Sequence, residues 1–174
     1  YFIFFSSEYV FDGKKGQYRE ISTPKTNLLY GKQKIKIENF LKNKKKGKFA
    51  ILRISKTYGD NKKDGSLFTN LLNLNNKSRI IYSANNQYFS ALYVRDLIKI
   101  MDIFIKNCFK GLYNVCGNES YSRYKYTTIL FDFLEIKNVK VKPAKLYSLT
   151  SNKNLPLNVT MSNKKIRKKL NFKF

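Results

Sequence analysis

Tyr30 and Lys34 stand four residues apart in "YGKQK", so on a helix their side chains share one face. A phenol and an ammonium placed this way suit proton transfer to a carbonyl oxygen. The phenol supplies the proton, and the neighbouring positive charge stabilises the phenolate left behind. The same lysine can hold ribose hydroxyls. A third group, a hydroxyl to polarise the carbonyl, comes from Ser7 if the apolar run "YFIFF" at 1–5 is a strand that ends there. Open α/β sheets bind ligands at the carboxyl ends of their strands.

Spacing alone does not single out this pair. With 13 tyrosines and 29 lysines in 174 residues, chance supplies about two such pairs. Tyr58/Lys62 and Tyr121/Lys125 have the same spacing. The first of these lies in a Gly-Asp-Asn loop, where the spacing has no helical meaning. The second has no strand-end hydroxyl upstream. Only Tyr30/Lys34 follows a buried strand, a serine pair and a loop containing Pro24.

The elements needed to position these groups are legible. Residues 1–5 read as a strand buried on both faces, of the kind found in parallel sheets. A helix is expected over 27–41, a second buried strand over 49–55 and a short helix over 66–74 with Ser66 as its cap. Then come a strand at 79–82, an extended stretch to Asp96, and an amphipathic helix over 97–107 capped by Asp96. A third buried strand is read at 111–117, then a helix from Ser120 or Ser122 to about Leu134, and a strand at 139–141. From Pro143 the chain reads as loop until Ser162-Asn163 opens a basic terminal helix. Alternating strands and helices predict an α/β protein with a parallel sheet. Gly13-Lys14-Lys15-Gly16 is read as a turn, because no helix follows closely enough to make it a phosphate loop.

The length fits one domain with a real core. No apolar run reaches the eighteen or so residues of a membrane span. With no histidine, Ser-His-Asp and His-metal chemistry are excluded within this segment. Cys108 and Cys116 form no framework, and a reducing cytoplasm is the expected compartment. The chain does not open with Met, and the reading expects it to begin inside a longer protein. The net charge of +24 invites nucleic acid. Yet only six of the 35 basic residues are Arg, and they are scattered. The enrichment of Lys and Asn together reads as codon bias rather than a binding patch, so no specific nucleic acid and no membrane is expected. The basic run at 162–169 reads as a solvated face.

The segment "SSEYVFDGKKGQYRE…TPKTNLLYGKQKIKIENFL" resembles the extended short-chain dehydrogenase/reductases, and most closely the dTDP-4-dehydrorhamnose reductase group. That group's hallmark is S-T-D-Y-V-F-D-G followed by P-x-N-x-Y-G-x-x-K-x-x-x-E. Ser6, Tyr9, Val10, Phe11, Asp12, Gly13, Pro24, Tyr30, Gly31, Lys34 and Glu38 fall on it, with Glu8 in place of Asp. "ILRISKTYG", "NNQYFSALYVRDL", "GLYNVCGNESYSRYKY" and "LPLNVTMSNKKI" also have counterparts, so the likeness spans nearly the whole chain.

The resemblance implies the C-terminal part of a Rossmann-type parallel sheet with a small α+β substrate-binding region. Residues 1–58 would be the second half of the dinucleotide-binding domain. Residues 59–174 would be mainly substrate-binding, with strand 111–116 returning to the sheet. It implies reduction of the 4-keto group of a nucleotide-linked deoxysugar by NADPH or NADH. Tyr30 would be the proton donor, Lys34 its electrostatic partner and ribose ligand, and Ser7 the hydroxyl that tunes the tyrosine and meets substrate. Ser6 is assigned to the cofactor side; Glu8, Lys56 and Phe89 are assigned to the sugar, although core packing is an open alternative for Phe89 or Tyr93. A homodimer is the assembly left open. The departures are specific. No glycine-rich phosphate loop is present, Lys56 replaces a tryptophan, Ala91-Leu92 replace Pro-Thr, and Leu155 replaces an arginine. A non-catalytic nucleotide-sugar-binding relative and an epimerase or dehydratase of the same fold are the alternatives. Residues 1–174 alone are expected to be inactive.

Overall fold

The computed structural model describes all residues except 45, 46, 62, 63, 76–78 and 173. The Lys62 half of the Tyr58/Lys62 pair and the centre of the lysine-rich turn at 42–48 lie outside the described residues.

Strand β1 (Phe2–Ser7) runs into a single 3-10 turn, Glu8–Val10. Helix α1 (Leu29–Lys42) returns the chain to β2 (Phe49–Ile54). Two short strands, β3 (Thr57–Tyr58) and, after α2 (Leu67–Asn75), β4 (Ile80–Ala84), lead into the second half. There β5 (Tyr88–Phe89), β6 (Leu92–Tyr93), α3 (Val94–Asn107) and β7 (Gly111–Val115) follow. The chain ends in β8 (Tyr121–Ser122), α4 (Arg123–Phe133), β9 (Lys140–Ala144), α5 (Leu146–Leu149) and α6 (Lys164–Leu170).

The central sheet is parallel, in the order β1-β2-β7. Two-residue periodicity divides its faces. Ala50, Leu52, Tyr113 and Val115 pack with Leu97, Ile100 and Phe104 of α3 and with Ile166 of α6. The opposite face carries an aligned polar row, because Ser6 pairs in register with Arg53 and Arg53 with Asn114. All three are buried. Beyond the sheet, β4 pairs in parallel with β9, and Leu71, Ile81 and Phe131 form a small second core there. β3 pairs in parallel with β6, and β5 with β8 in antiparallel fashion. The molecule is mixed α/β with parallel sheets, as the strand-helix alternation implied.

Several boundaries differ from the sequence reading. α1 starts at Leu29 rather than 27, because the Thr26 hydroxyl accepts the Leu28 N–H in a turn at 3.2 Å. α3 begins at Val94, one turn earlier than expected, with Tyr93 at its cap and Asp96 already inside the first turn. The extended stretch before it breaks into β5 and β6. Helix α4 starts at Arg123 behind Ser122, whose hydroxyl accepts the Lys125 N–H, so of the two serines it is Ser122 that caps. The stretch after Pro143 is not all loop: β9 runs on to Ala144, and α5 follows.

Candidate functional site

The carboxyl end of β1 falls in a cleft of about 720 Å³. Its walls include Ser6, Ser7 and Glu8 from β1 and its turn, Tyr30 and Lys34 from α1, and Lys56 just past β2. Six of the seven residues nominated from sequence are therefore brought to one place.

Two contacts fix α1 against the strand ends. Gly31 has no side chain because a Cβ there would collide with the carbonyl oxygen of Tyr9 and with Thr26. The first turn of α1 thus rests directly on the 3-10 turn, which holds Tyr30 beside Ser7 and Glu8. Two turns further along, Glu38 is completely buried. It accepts hydrogen bonds from Arg53 Nε (2.9 Å) and Nη2 (2.7 Å), from the Ser6 hydroxyl (2.6 Å), and from Lys42 Nζ (3.3 Å). Burial alone would raise its pKa; the guanidinium, the hydroxyl and the lysine outweigh that and hold the carboxyl below its ordinary value. This ion pair clamps α1 across β1 and β2. The Ser6 hydroxyl is part of that clamp, beneath the cleft surface.

Lys34 Nζ donates to the Phe5 carbonyl at 2.8 Å and lies 5.4 Å from the centre of the Tyr30 ring. Tyr30 is half exposed, and its hydroxyl has no partner among the described residues. Ser7 Oγ accepts the Tyr9 N–H at 3.2 Å as the cap of the 3-10 turn. That bond fixes the serine rotamer and leaves its own O–H free to donate.

Glu8 is buried, with both carboxylate oxygens occupied. The Ser55 hydroxyl donates to Oε2 at 2.5 Å and Lys56 Nζ to Oε1 at 2.8 Å. Lys56 Nζ also donates to the Tyr9 hydroxyl at 2.8 Å, and it lies over the rings of Tyr9 and Phe89. Burial would lower the ammonium's pKa, but Glu8 and Tyr9 reverse that and set it above the ordinary 10.5. Phe89 departs from the expected placement. It is fully buried, stacked on Tyr126 at 4.7 Å, and supports Lys56 from below without reaching the cleft surface.

Sequence reasoning missed Arg53 and Ser55. The signal for Arg53 was a lone charge inside the apolar "FAILRIS", which requires a buried counter-charge. For Ser55 it was its position beside Glu8 at the ends of adjacent parallel strands. Of the other Tyr-x-x-x-Lys pairs, Tyr121 lies in β8 and Lys125 in α4, so the two do not share a helix. A second, mainly apolar cavity of about 730 Å³ lies against α2, α4 and the start of α3; Tyr93, weighed with Phe89 for the sugar, lines it rather than the cleft. Among the described residues no cluster of His, Cys, Asp or Glu could hold a metal ion. No described helix is long and apolar enough to cross a membrane.

The model of the RmlD substrate binding domain matches residues 1–174. The chain belongs to this family. The methionine adenosyltransferase 2 subunit beta of Xenopus tropicalis is 30% identical over 155 residues, covering 82% of this chain and 45% of that protein. The Bos taurus protein of the same name is 26% identical over a similar span. This member of the RmlD family thus spans less than half the length of the curated relatives it matches. Among solved structures, a dTDP-4-dehydrorhamnose reductase from Bacillus anthracis in complex with NADP superposes with a TM-score of 0.89 at 24% identity. It is covered over 60% of its length, against 99% of this chain. A dTDP-4-dehydrorhamnose reductase ortholog from Clostridium acetobutylicum gives 0.84 at 24% identity, over 93% of this chain and 56% of that one. The RmlD-like, Rossmann-type fold expected from the sequence motifs is the fold observed.

Proposed function

We propose that this chain is the catalytic and sugar-binding part of an NAD(P)H-dependent reductase that acts on the 4-keto group of a nucleotide-linked deoxysugar. The observation that carries the reading is the convergence of Tyr30, Lys34 and Ser7 on one cleft at the carboxyl end of a parallel strand. Tyr30 donates its proton to the carbonyl oxygen as that oxygen becomes an alkoxide. Lys34, beside the ring, stabilises the phenolate that remains. The Ser7 O–H, oriented by the Tyr9 N–H, hydrogen-bonds the same oxygen and polarises the ketone.

A nicotinamide cofactor would supply the hydride. Lys34 and Tyr30 fit its nicotinamide-ribose end, since the lysine rests on an exchangeable backbone carbonyl. No glycine-rich loop occurs in the sequence to cradle a pyrophosphate, so that task is assigned to residues outside this chain. The edge of β1 that pairs with no strand among the described residues, and the exposed Leu29, Ile37 and Phe40 of α1, suit further layers of the same sheet. On this reading residues 1–58 and β7 belong to the dinucleotide-binding domain and most of 59–174 to the sugar side.

The test is oxidation of NADPH or NADH by a 4-keto nucleotide sugar, using a protein extended to include a nicotinamide-binding half. Sugar-dependent oxidation that falls about 10²–10⁴-fold in Tyr30→Phe supports the reading. Full activity in that variant overturns the assignment of Tyr30. A second reading, a binding or regulatory relative without turnover, is favoured by the curated relatives' own name, which describes a subunit. Cofactor and sugar binding without any oxidation would select it.

A further inference from the structure

We infer that the cleft selects a sugar bearing an anionic substituent, with Lys56 as the residue that reads it. The inference rests on the nucleotide-sugar reading above and narrows its substrate class. The cleft is lined by a single carboxylate, Glu8, and by two ammonium groups, Lys34 and Lys56. Glu8 is the residue expected to accept hydrogen bonds from sugar hydroxyls, but Ser55 and Lys56 occupy its two oxygens. An ammonium has three N–H donors. Two of those on Lys56 go to Glu8 and Tyr9, and the third has no acceptor among the described residues. The wall at Glu8 therefore offers an N–H donor in place of a free carboxylate acceptor.

Arg123, at the start of α4, forms no ion pair among the described residues, and its buried Nε has no hydrogen-bond partner. Burial pulls its pKa down, and the interaction with Tyr9 opposes that only in part. Tyr9 itself accepts a hydrogen bond from Lys56 at 2.8 Å. Against the one carboxylate of Glu8, the cleft is lined by the ammonium groups of Lys34 and Lys56. A carboxylate on the sugar ring would complete both the unused Lys56 donor and this charge balance.

Titration calorimetry with UDP-glucuronate and UDP-glucose, which differ only at C6, tests this directly, with dTDP-glucose as a third ligand. The uronate should bind about tenfold more tightly than UDP-glucose. Lys56→Met should bring that ratio to about one. Glu8→Gln should raise it, because the competing negative charge is removed while the lysine remains; a merely structural Lys56 would not produce that opposite sign. Because Lys56→Met leaves Glu8 buried and unpaired, the double variant Glu8→Gln/Lys56→Met is measured beside it, with folding checked by circular dichroism, and should also lose the preference. Equal affinity of the unaltered protein for the two UDP-sugars, or a preference that survives in the folded double variant, overturns the inference alone. Failure of all three nucleotide sugars to bind overturns the nucleotide-sugar reading, and the inference with it.

Discussion

The carbonyl oxygen of Tyr9 occupies the space that a side chain at Gly31 would need. The contact joins the turn bearing Ser7, Glu8 and Tyr9 to the helix turn bearing Tyr30, so a backbone-to-backbone approach sets the geometry of the proposed chemistry. Gly31→Ala should therefore push α1 off the turn, with a loss of about 1–3 kcal/mol of stability. Urea unfolding of the variant beside the parent measures it. An unchanged midpoint would show that the helix start can yield without cost.

Lys34 offers the opposite case, a residue proposed for chemistry with little structural work. Its one hydrogen bond, to the Phe5 carbonyl, is solvent-exposed. Lys34→Met should shift stability by no more than about 0.5 kcal/mol. In the extended protein, sugar-dependent NADPH oxidation should nevertheless collapse. Loss of folding in step with loss of activity would make Lys34 a structural residue and remove it from the mechanism.

The Glu38–Arg53 pair has both members fully buried. Glu38→Gln leaves the guanidinium without its counter-charge and should cost about 3–5 kcal/mol. The pH dependence follows from the carboxyl's depressed pKa in the folded state. Such a group adds stability above its unfolded pKa, ordinarily 4.5, and loses it as pH falls through the lower folded value. The stability gap between parent and variant should therefore narrow below about pH 4.5. A gap that stays constant from pH 7 to pH 3 contradicts the assignment.

The sequence announced most of this arrangement because its chemistry lies in short, contiguous stretches. "YFIFFSSEYV" reads as a strand ending in polar groups, and Tyr30 and Lys34 are fixed by helix geometry; the burial expected of residues 1–5 does not hold, since Tyr1, Phe2 and Phe5 are exposed and Ser6 is the buried residue of β1. Phe89 was harder. Its aromatic ring suits a sugar face as well as a core, and only the tertiary stack on Tyr126 decides between them. Arg53 and Glu38 are 15 residues apart in the chain, and their pairing depends on where α1 crosses β2, which no local pattern encodes. The early start of α3 has the same origin. Val94 and Arg95 have no strong cap ahead of them, and the pairing of β6 with β3 sets where the helix begins.

The two cysteines provide a chemical check on the packing around the site. Cys116, directly after β7, is fully buried and donates its S–H to the Met161 carbonyl at 3.2 Å. Burial, with the Glu8 charge adding to it, pushes its thiol up to about 12. Thiolate is the reactive form, so Cys116 should resist alkylation in the folded protein at pH 8. Cys108 is exposed in the left-handed position that ends α3 and should react freely. Native protein should thus take up one equivalent of iodoacetamide, with the second entering only after denaturation, as read by intact mass. Rapid labelling of both thiols would mean that the layer formed by Val10, Phe11, Tyr18, Cys116 and Met161 opens in solution. The Glu8 turn and Cys116 would then be too mobile to hold Ser7 and Tyr30 in register for proton transfer. Protection of Cys116 together with activity confined to variants that keep Tyr30 would tie the rigidity of that layer to the chemistry above it.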